Sequence, residues 1–207
     1  MRPGKLFIVS GPSGAGKGTL LAELLRRVPE LWFSVSATTR LPRVGEVEGE
    51  SYFFVSRAQF KSWIAHGALL EWAEVFGQYY GTPASAVRSR TDAGVSVVLD
   101  IESQGARQVL TRVPDAVTIF VTVPSLEELE RRLRRRGTET PAQIARRMAE
   151  ARAEIRHKTR YDYTVVNDDL SRAADELEKI VRGEMSGEGC GKDCGEGCGE
   201  IRATDKN

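Results

Sequence analysis

Four short apolar runs divide the chain, each followed by a polar or turn-forming residue. They span residues 6–9, 95–99, 117–123 and 163–166. Continuous apolar runs of this length are typical of strands that are buried on both faces of a parallel sheet. The pattern therefore predicts four central strands.

The segments between these runs carry apolar residues at helical spacing. Such residues recur from Leu20 to Val28, and Pro29 ends the segment. Strands that alternate with helices predict an α/β fold with a doubly wound parallel sheet. The further helices are predicted at residues 103–112, 126–136, 142–157 and 172–182.

Residues 34–90 interrupt this alternation with short aromatic-rich segments separated by glycines. A helix is predicted to begin after Ser56, which suits an N-cap, and to end at Gly67. The interruption therefore predicts an inserted, small mixed α/β lobe, at the end of the sheet where open α/β folds bind ligands. Its short strands are predicted around residues 52–54, 69–75 and 79–80.

Composition and charge add little beyond these elements. A chain of 207 residues with 41% apolar and 29% charged residues suits one enzyme domain. The formal net charge of +1 predicts no general affinity for nucleic acid or membranes. No apolar run reaches the length of a signal-peptide core or a membrane span, which predicts a cytoplasmic protein.

Residues 186–207 are rich in glycine and charge and carry all three cysteines, Cys190, Cys194 and Cys198. This composition predicts a disordered tail with almost nothing to bury. Three thiolates could also hold zinc or an iron–sulfur cluster with one outside ligand, although the count is incomplete for a closed site. A flexible appendage is the favoured interpretation, and the metal site stays open.

A glycine-rich segment joins the first predicted strand to the first predicted helix. It matches the G-x-x-x-x-G-K pattern, in which backbone N–H groups bind phosphate oxygens and Lys17 reaches the β and γ phosphates of ATP. Gly18 follows the lysine where Ser or Thr is usual, so Thr19 is the candidate Mg²⁺ ligand. The segment is Gly11-Pro12-Ser13-Gly14-Ala15-Gly16-Lys17-Gly18-Thr19.

Asp100 directly follows the second apolar run. This is the place of a Walker B carboxylate that holds Mg²⁺ through water. An N-cap of the next helix is the alternative, because Asp is common at N-caps. The phosphate loop favours the Mg²⁺ interpretation.

Arg40 and Arg43 flank Pro42 in the inserted segment, and Tyr52 follows. Two arginines at this spacing suit a fork around a dianionic phosphate, to which a tyrosine hydroxyl donates. Taken alone, two loop arginines are more often solvated surface residues.

This segment resembles the signature of the guanylate kinase family. That signature is a Thr/Ser-Thr/Ser-Arg sequence, followed by a second basic residue, an acidic residue, a glycine and a Tyr-x-Phe/Tyr sequence. The resemblance runs from about residue 5 to about residue 185 and includes residues 77–82, 99–105 and 166–169. The signature residues are Thr38, Thr39, Arg40, Arg43, Glu46, Gly49, Tyr52 and Phe54.

The resemblance implies a P-loop kinase domain over residues 1–185. Its core would be 1–33 and 91–185, its GMP-binding lobe 34–90, and a helical lid would lie at about 126–150. It implies ATP and GMP as substrates and Mg²⁺ as cofactor. The implied GMP-binding residues are Arg40, Arg43, Tyr52 and Tyr80 for the phosphate, Ser36, Glu71 and Thr82 for the guanine, and Asp100.

The chemistry of guanine agrees with this assignment. Guanine presents N1–H and its exocyclic amine as adjacent donors, which one carboxylate accepts together, whereas adenine presents a different pattern. An unpaired Glu71 opposite adenine would cost on the order of a few kcal/mol. Without the resemblance, a solvated strand carboxylate is the favoured interpretation of Glu71.

Five arginines follow Glu130, at positions 131, 132, 134, 135 and 136. Pairing with preceding glutamates along a solvated helix explains part of this charge. The resemblance implies that Arg132, Arg136 and Arg147 close over the phosphates and act in catalysis with Lys17, and that Asn167 lies near the adenine. Phosphoryl transfer needs alignment and charge neutralisation rather than a general base, so the two histidines, His66 and His157, are interpreted as structural.

There are two alternatives to a kinase that phosphorylates GMP. One is a guanylate-kinase-like module that binds peptides without catalysis, which the intact Lys17, Arg40, Arg43 and Tyr52 disfavour. The other is a P-loop kinase for a phosphorylated sugar, which Ser36, Glu71 and Thr82 disfavour. The sequence leaves the oligomeric state undecided.

Overall fold

The computed structural model describes residues 2–75, 77–135, 137 and 140–188. Arg136 and the three cysteines of the tail lie outside the described residues. The chain divides into two compact units. The first unit comprises Met1–Leu6 and Glu30–Ala116, and the second comprises Phe7–Pro29 and Val117–Asn207.

Seven α-helices and nine strands cover most of the described residues. In chain order they are β1 (Leu6–Ser10), α1 (Lys17–Arg27), β2 (Trp32–Phe33), β3 (Ala37–Thr38), β4 (Phe53–Phe54), α2 (Arg57–Ala65), β5 (Leu69–Val75), β6 (Gln78–Pro83), α3 (Ala84–Asp92), β7 (Val97–Asp100), α4 (Ser103–Arg112), β8 (Val117–Thr122), α5 (Leu126–Arg135), α6 (Pro141–Ile155), β9 (Tyr163–Val166) and α7 (Leu170–Ser186). A short 3₁₀ helix, Lys158–Arg160, precedes β9.

The second unit contains parallel strands with helices packed around them. β8 pairs with both β1 and β9, and all residues of β1 and β8 are buried. This burial explains their continuous apolar sequences. Among the helices, α1 packs against α7 and α5 against α6. The predicted α/β fold with a doubly wound parallel sheet is confirmed.

The first unit holds a four-stranded mixed sheet in the order β4-β3-β6-β5, together with a parallel pair of β2 and β7. The short predicted strands and the capped helix of the inserted segment are confirmed. Ser56 Oγ accepts a hydrogen bond of 3.1 Å from the Gln59 N–H at the start of α2, and Gly67, with φ +64°, follows its end. Phe60 of α2 is fully buried against Ala37 and Leu69.

Several element boundaries differ from the predictions, and two of these differences have a clear physical reason. β7 begins at Val97 rather than at residue 95, because the Val95 N–H donates to the Arg90 carbonyl at the exit from α3. α7 extends to Ser186, so Ser186 belongs to the helix rather than to the tail. The helix ends at Gly187, whose φ of +82° favours glycine.

α3 was not predicted. Only Ala84 and Val87 are buried in this helix, so its sequence carries little amphipathic periodicity. No helix among the described residues is long and apolar enough to cross a membrane.

Candidate active site

The phosphate loop lies between β1 and α1 in the second unit. Gly16, with φ +88°, immediately precedes α1, and a Cβ atom there would lie 2.5 Å from Asn167 Nδ2. A side chain at Gly11 would meet the Val121 carbonyl oxygen at 2.0 Å. Both positions therefore require glycine for space as well as for backbone conformation.

Side chains hold this loop in shape from two directions. Lys17 Nζ donates to the Gly11 carbonyl at 2.6 Å, across the mouth of the loop. Asn167, which is 5% exposed, donates from Nδ2 to the Ala15 carbonyl at 2.8 Å. Asn167, predicted to lie near adenine, is thus placed directly against the loop. Thr19 lies exposed in the first turn of α1.

Two of the three predicted lid arginines contact the loop or its support. Arg147 donates to Ser13 Oγ at 2.5 Å. Arg132 donates to the Asn167 carbonyl at 2.9 Å and pairs with Glu128 at 2.7 Å. These contacts place Arg132 and Arg147 beside the phosphate loop, whose last residue is Lys17.

The neighbouring arginines of α5 fit the solvated-helix interpretation. Arg131 pairs with Glu128 and Arg134 pairs with Glu130, and both arginines are exposed. Such pairs stabilise a helix by about 0.2–0.5 kcal/mol each. Within this run, Arg131 and Arg134 therefore serve the helix surface, whereas Arg132 serves the loop.

A cavity of about 420 Å³ lies within the first unit. Its volume suits a small ligand. Seven of the eight residues predicted to bind GMP line it, namely Ser36, Arg40, Arg43, Tyr52, Glu71, Tyr80 and Asp100. The lining residues that were not assigned to a site are Glu46, Ala73, Val75, Gly81, Ile101, Glu102, Gln104 and Gly105. Asp100 ends β7 and is not the N-cap of α4, which is Glu102.

Arginine and tyrosine side chains make one part of this pocket cationic and aromatic. The Arg40 guanidinium forms two hydrogen bonds with the Glu46 carboxylate, at 2.9 and 2.8 Å, and lies 5.3 Å from the centre of the Tyr52 ring. The Arg40 side chain and then the Arg43 N–H lower the pKa of Glu46 to about 2. Glu46 therefore stays ionised and holds Arg40 in place. Its position in the family signature was the available signal for this role.

A buried carboxylate forms another part of the pocket. Glu71, only 7% exposed, lies on β5 and accepts a hydrogen bond of 2.7 Å from the Thr82 hydroxyl on β6. Burial raises the pKa of Glu71, and hydrogen bonds from Thr82 partly oppose this rise. Thr82, predicted to bind guanine, does not line the cavity and is 1% exposed. Its hydroxyl contacts Glu71, and a direct contact between Thr82 and guanine stays a prediction.

Helix α4 lies directly against Glu71. A Cβ atom at Gly105 would be 2.7 Å from Glu71 Oε2, so any larger residue at this position would displace the carboxylate. Gly105 therefore makes the space that Glu71 occupies. The sequence signal for this role was the glycine itself, in the first turn of a helix where glycine is otherwise unfavourable.

We expect Thr82→Val to destabilise the protein by about 1–2 kcal/mol at pH 7, because one oxygen of a buried carboxylate loses its donor. The loss of the donor raises the Glu71 pKa further, so ionisation costs more folding free energy in the variant. The difference from wild type should therefore be smallest below about pH 3, where the carboxyl is protonated in both folded and unfolded chains, and should grow as pH rises through the raised pKa of Glu71. Urea unfolding at several pH values measures it.

Thr111→Val, at an exposed position of α4, is the matched control and should change stability by less than about 0.5 kcal/mol. Equal effects of the two substitutions at every pH would contradict the role of Thr82.

The second unit carries a phosphate loop, and the first unit carries a pocket with arginines and a buried carboxylate. Together these features define a P-loop α/β protein that binds phosphorylated ligands. The sequence profile of the guanylate kinase family matches residues 3–184. The chain belongs to the guanylate kinase family.

Individual relatives agree over most of the chain. A guanylate kinase of Rubrobacter xylanophilus is 52% identical over 187 residues, which cover 90% of this chain and 98% of the relative. A guanylate kinase of a Nostoc species is 53% identical and covers 87% of this chain and 90% of its own. The crystal structure of guanylate kinase from Anaplasma phagocytophilum matches with a TM-score of 0.71 at 36% identity, covering 89% of this chain and 88% of that one.

Proposed function

We propose that this protein is a guanylate kinase, which transfers the γ-phosphoryl group of ATP to GMP and so forms ADP and GDP. The observation that carries the proposal is the pocket of the first unit. Its walls include both a buried carboxylate, Glu71, and two arginines, Arg40 and Arg43. This combination suits a ligand with two adjacent N–H donors and a dianionic phosphate, which describes GMP.

Recognition of the base follows from the protonation state of Glu71. An ionised carboxylate accepts both the N1–H and the exocyclic amine of guanine, and these bonds replace the water that burial removes. Ser36, which also lines the pocket, supplies a hydroxyl for O6 in this proposal. Adenine lacks the donor pair and would leave the buried charge unpaired, which is costly.

Recognition of the phosphate uses the cationic part of the pocket. Arg40 and Arg43 donate to the dianion and attract it, and the hydroxyls of Tyr52 and Tyr80 also donate to its oxygens. Glu46 holds Arg40 in advance, which lowers the conformational entropy lost when the ligand binds.

The second unit binds ATP in this proposal. Backbone N–H groups of the phosphate loop and the Lys17 ammonium bind the β and γ phosphates, and Arg132 and Arg147 neutralise charge on the transferred group. Arg147 is already hydrogen-bonded to Ser13 of the loop. Arg136 lies outside the described residues, and its catalytic role stays a prediction. The transfer goes directly between substrates, without a covalent enzyme intermediate.

Mg²⁺ is the proposed cofactor. Within the residues that the structure describes, no three His, Cys, Asp or Glu side chains are grouped to hold a metal. Mg²⁺ keeps several waters and binds through few protein oxygens plus substrate phosphates, so one hydroxyl and one carboxylate suit it. Thr19, exposed at the start of α1, would supply one oxygen. Asp100, through water, stays the second predicted ligand. When bound, Mg²⁺ neutralises charge on the phosphates.

Residence in the cytoplasm stays a prediction from composition. The substrates ATP and GMP follow from the proposed reaction, and no nucleic-acid or membrane partner is proposed.

We expect Arg40→Met to raise the KM for GMP by about 10–100-fold and to lower kcat less, because a charge-assisted hydrogen bond to the phosphate is lost. Steady-state kinetics with varied GMP measure both constants. Arg88→Met, at an exposed position of α3, should leave the KM within about twofold of wild type. An unchanged KM for GMP in a folded Arg40→Met protein would contradict the proposed contact between Arg40 and the phosphate.

The proposed function is tested by offering different acceptors with ATP and Mg²⁺ and measuring ADP release. Strong turnover is expected with GMP and not with AMP, CMP, UMP or ribose 5-phosphate. Turnover with the sugar phosphate instead would indicate a sugar-phosphate kinase. A folded protein that binds GMP and turns over no acceptor would indicate a binding module.

A further inference from the structure

Strand β5, which carries Glu71, is irregular and lies at the edge of its sheet. Its pairing register with β6 shifts between Leu69 and Glu71. Leu69, Leu70 and Glu71 are all buried, so the alternation of a regular strand is broken at this point. A bulge of this kind redirects a side chain, and here it places Glu71 in the pocket.

An edge strand with a bulge needs other partners for its backbone. Loss of local pairing weakens the register, and a shift of one residue would turn every side chain to the opposite face. Such a shift at β5 would remove the Glu71 carboxylate from the pocket. Some other element must therefore hold the strand.

Helix α4 supplies these partners. The side-chain amide of Gln108 forms two hydrogen bonds with the backbone of Trp72, because its Nε2 donates to the Trp72 carbonyl at 2.9 Å and its Oε1 accepts from the Trp72 N–H at 3.2 Å. This pair imitates a neighbouring strand at the residue that follows Glu71. On the other side of the bulge, Arg112 donates to the Leu69 carbonyl.

The same helix surface limits where the carboxylate can lie. Gly105, one helical turn before Gln108, leaves just enough room for Glu71 Oε2. Gln108 therefore fixes the backbone beside Glu71, while Gly105 fixes the space for its side chain. Gln108 does not line the pocket.

We propose that Gln108 is a positioning residue for guanine recognition, which holds the bulged strand β5 so that Glu71 accepts both guanine donors. The inference rests on the proposed function, since it concerns how that function selects its acceptor. Without Gln108 the carboxylate would still be present, but its two oxygens would no longer meet two adjacent N–H groups together.

The difference between GMP and IMP isolates this role, because IMP lacks the exocyclic amine and offers Glu71 a single donor. Wild type should prefer GMP over IMP by about 10–100-fold, the value of one hydrogen bond to a charged group. In Gln108→Met, an apolar side chain of similar length, this preference should fall by about three- to tenfold, with a higher KM for GMP and a smaller change in kcat.

The matched control is Arg112→Met, which removes another contact between α4 and β5 on the far side of the bulge from Gln108. It should lower thermal stability without changing the preference for GMP over IMP. Gln108→Asn keeps the amide but is one methylene too short for both bonds, and it should lose preference as Gln108→Met does. It provides the same test if the methionine variant does not fold.

Calorimetric binding of GMP and IMP without ATP, beside the kinetics, separates this inference from the proposed function. A wild type that prefers GMP in binding but shows no turnover would refute the kinase alone, and the Gln108 variants would still be tested by binding. Folded Gln108 variants with the full wild-type preference would overturn the positioning role. An equal loss of preference in Arg112→Met would also overturn it, because the effect would then be general loosening of β5.

Discussion

Lys17→Ala should lower turnover with ATP and GMP by about 10³-fold or more, because a fixed positive charge is lost where negative charge is transferred. In the structure the ammonium is held at the mouth of the phosphate loop by the Gly11 carbonyl, 2.6 Å away. The substitution by alanine leaves the loop glycines unchanged, and alanine is compatible with helix α1, so the local structure should be preserved. The expected loss is therefore in kcat, with the KM for GMP changed far less.

Lys179→Ala is the control for this variant. Lys179 is exposed on α7, in the same unit, and its removal changes the net charge equally. Turnover should stay within about twofold of wild type. A folded Lys17→Ala protein that retained more than a tenth of wild-type kcat would show that the loop lysine does not act on the transferred phosphate.

Glu71→Gln should lower kcat/KM for GMP by about 10³-fold, because a buried amide presents one donor where guanine also presents donors. The loss should be much smaller for AMP, whose base offers an acceptor beside a donor. Selectivity for GMP over AMP should therefore collapse. Burial raises the pKa of Glu71, so wild-type GMP affinity should also weaken as pH falls through that raised value and the carboxylate is protonated.

Glu74→Gln is the matched control, because Glu74 lies on the same strand with an exposed side chain. It should preserve both the rate and the selectivity. Glu71→Gln should remain folded, since a neutral amide is easier to bury than a carboxylate and still accepts a hydrogen bond from Thr82. Undiminished selectivity in Glu71→Gln would require another residue to discriminate guanine.

The features that the sequence predicted well depend on neighbouring residues. The buried strands β1 and β8 are continuous apolar runs, and the start of α2 follows from Ser56 and its N-cap hydrogen bond. The phosphate loop likewise occupies one short segment between a strand and a helix. Interactions between residues that are close together in the chain produce recognisable residue patterns in the sequence.

The features that the sequence missed depend on residues far apart in the chain. Gln108 forms hydrogen bonds with Trp72, which lies 36 positions earlier in the chain. The periodicity of α4 does not indicate a partner on β5. The bulge at Leu69–Glu71 has no glycine or proline to mark it. The hydrogen bond from Thr82 to Glu71 likewise follows from strand pairing that only the folded chain shows.

The transfer of a phosphoryl group from ATP to GMP can be measured directly by following a label in that group. The protein is incubated with Mg²⁺, GMP and ATP labelled in its γ-phosphate, and the labelled products are separated. The label should appear in the β-phosphate of GDP, with one ADP formed for each GDP. Label found only in inorganic phosphate, or retained in ATP by a folded protein, would contradict the proposed function.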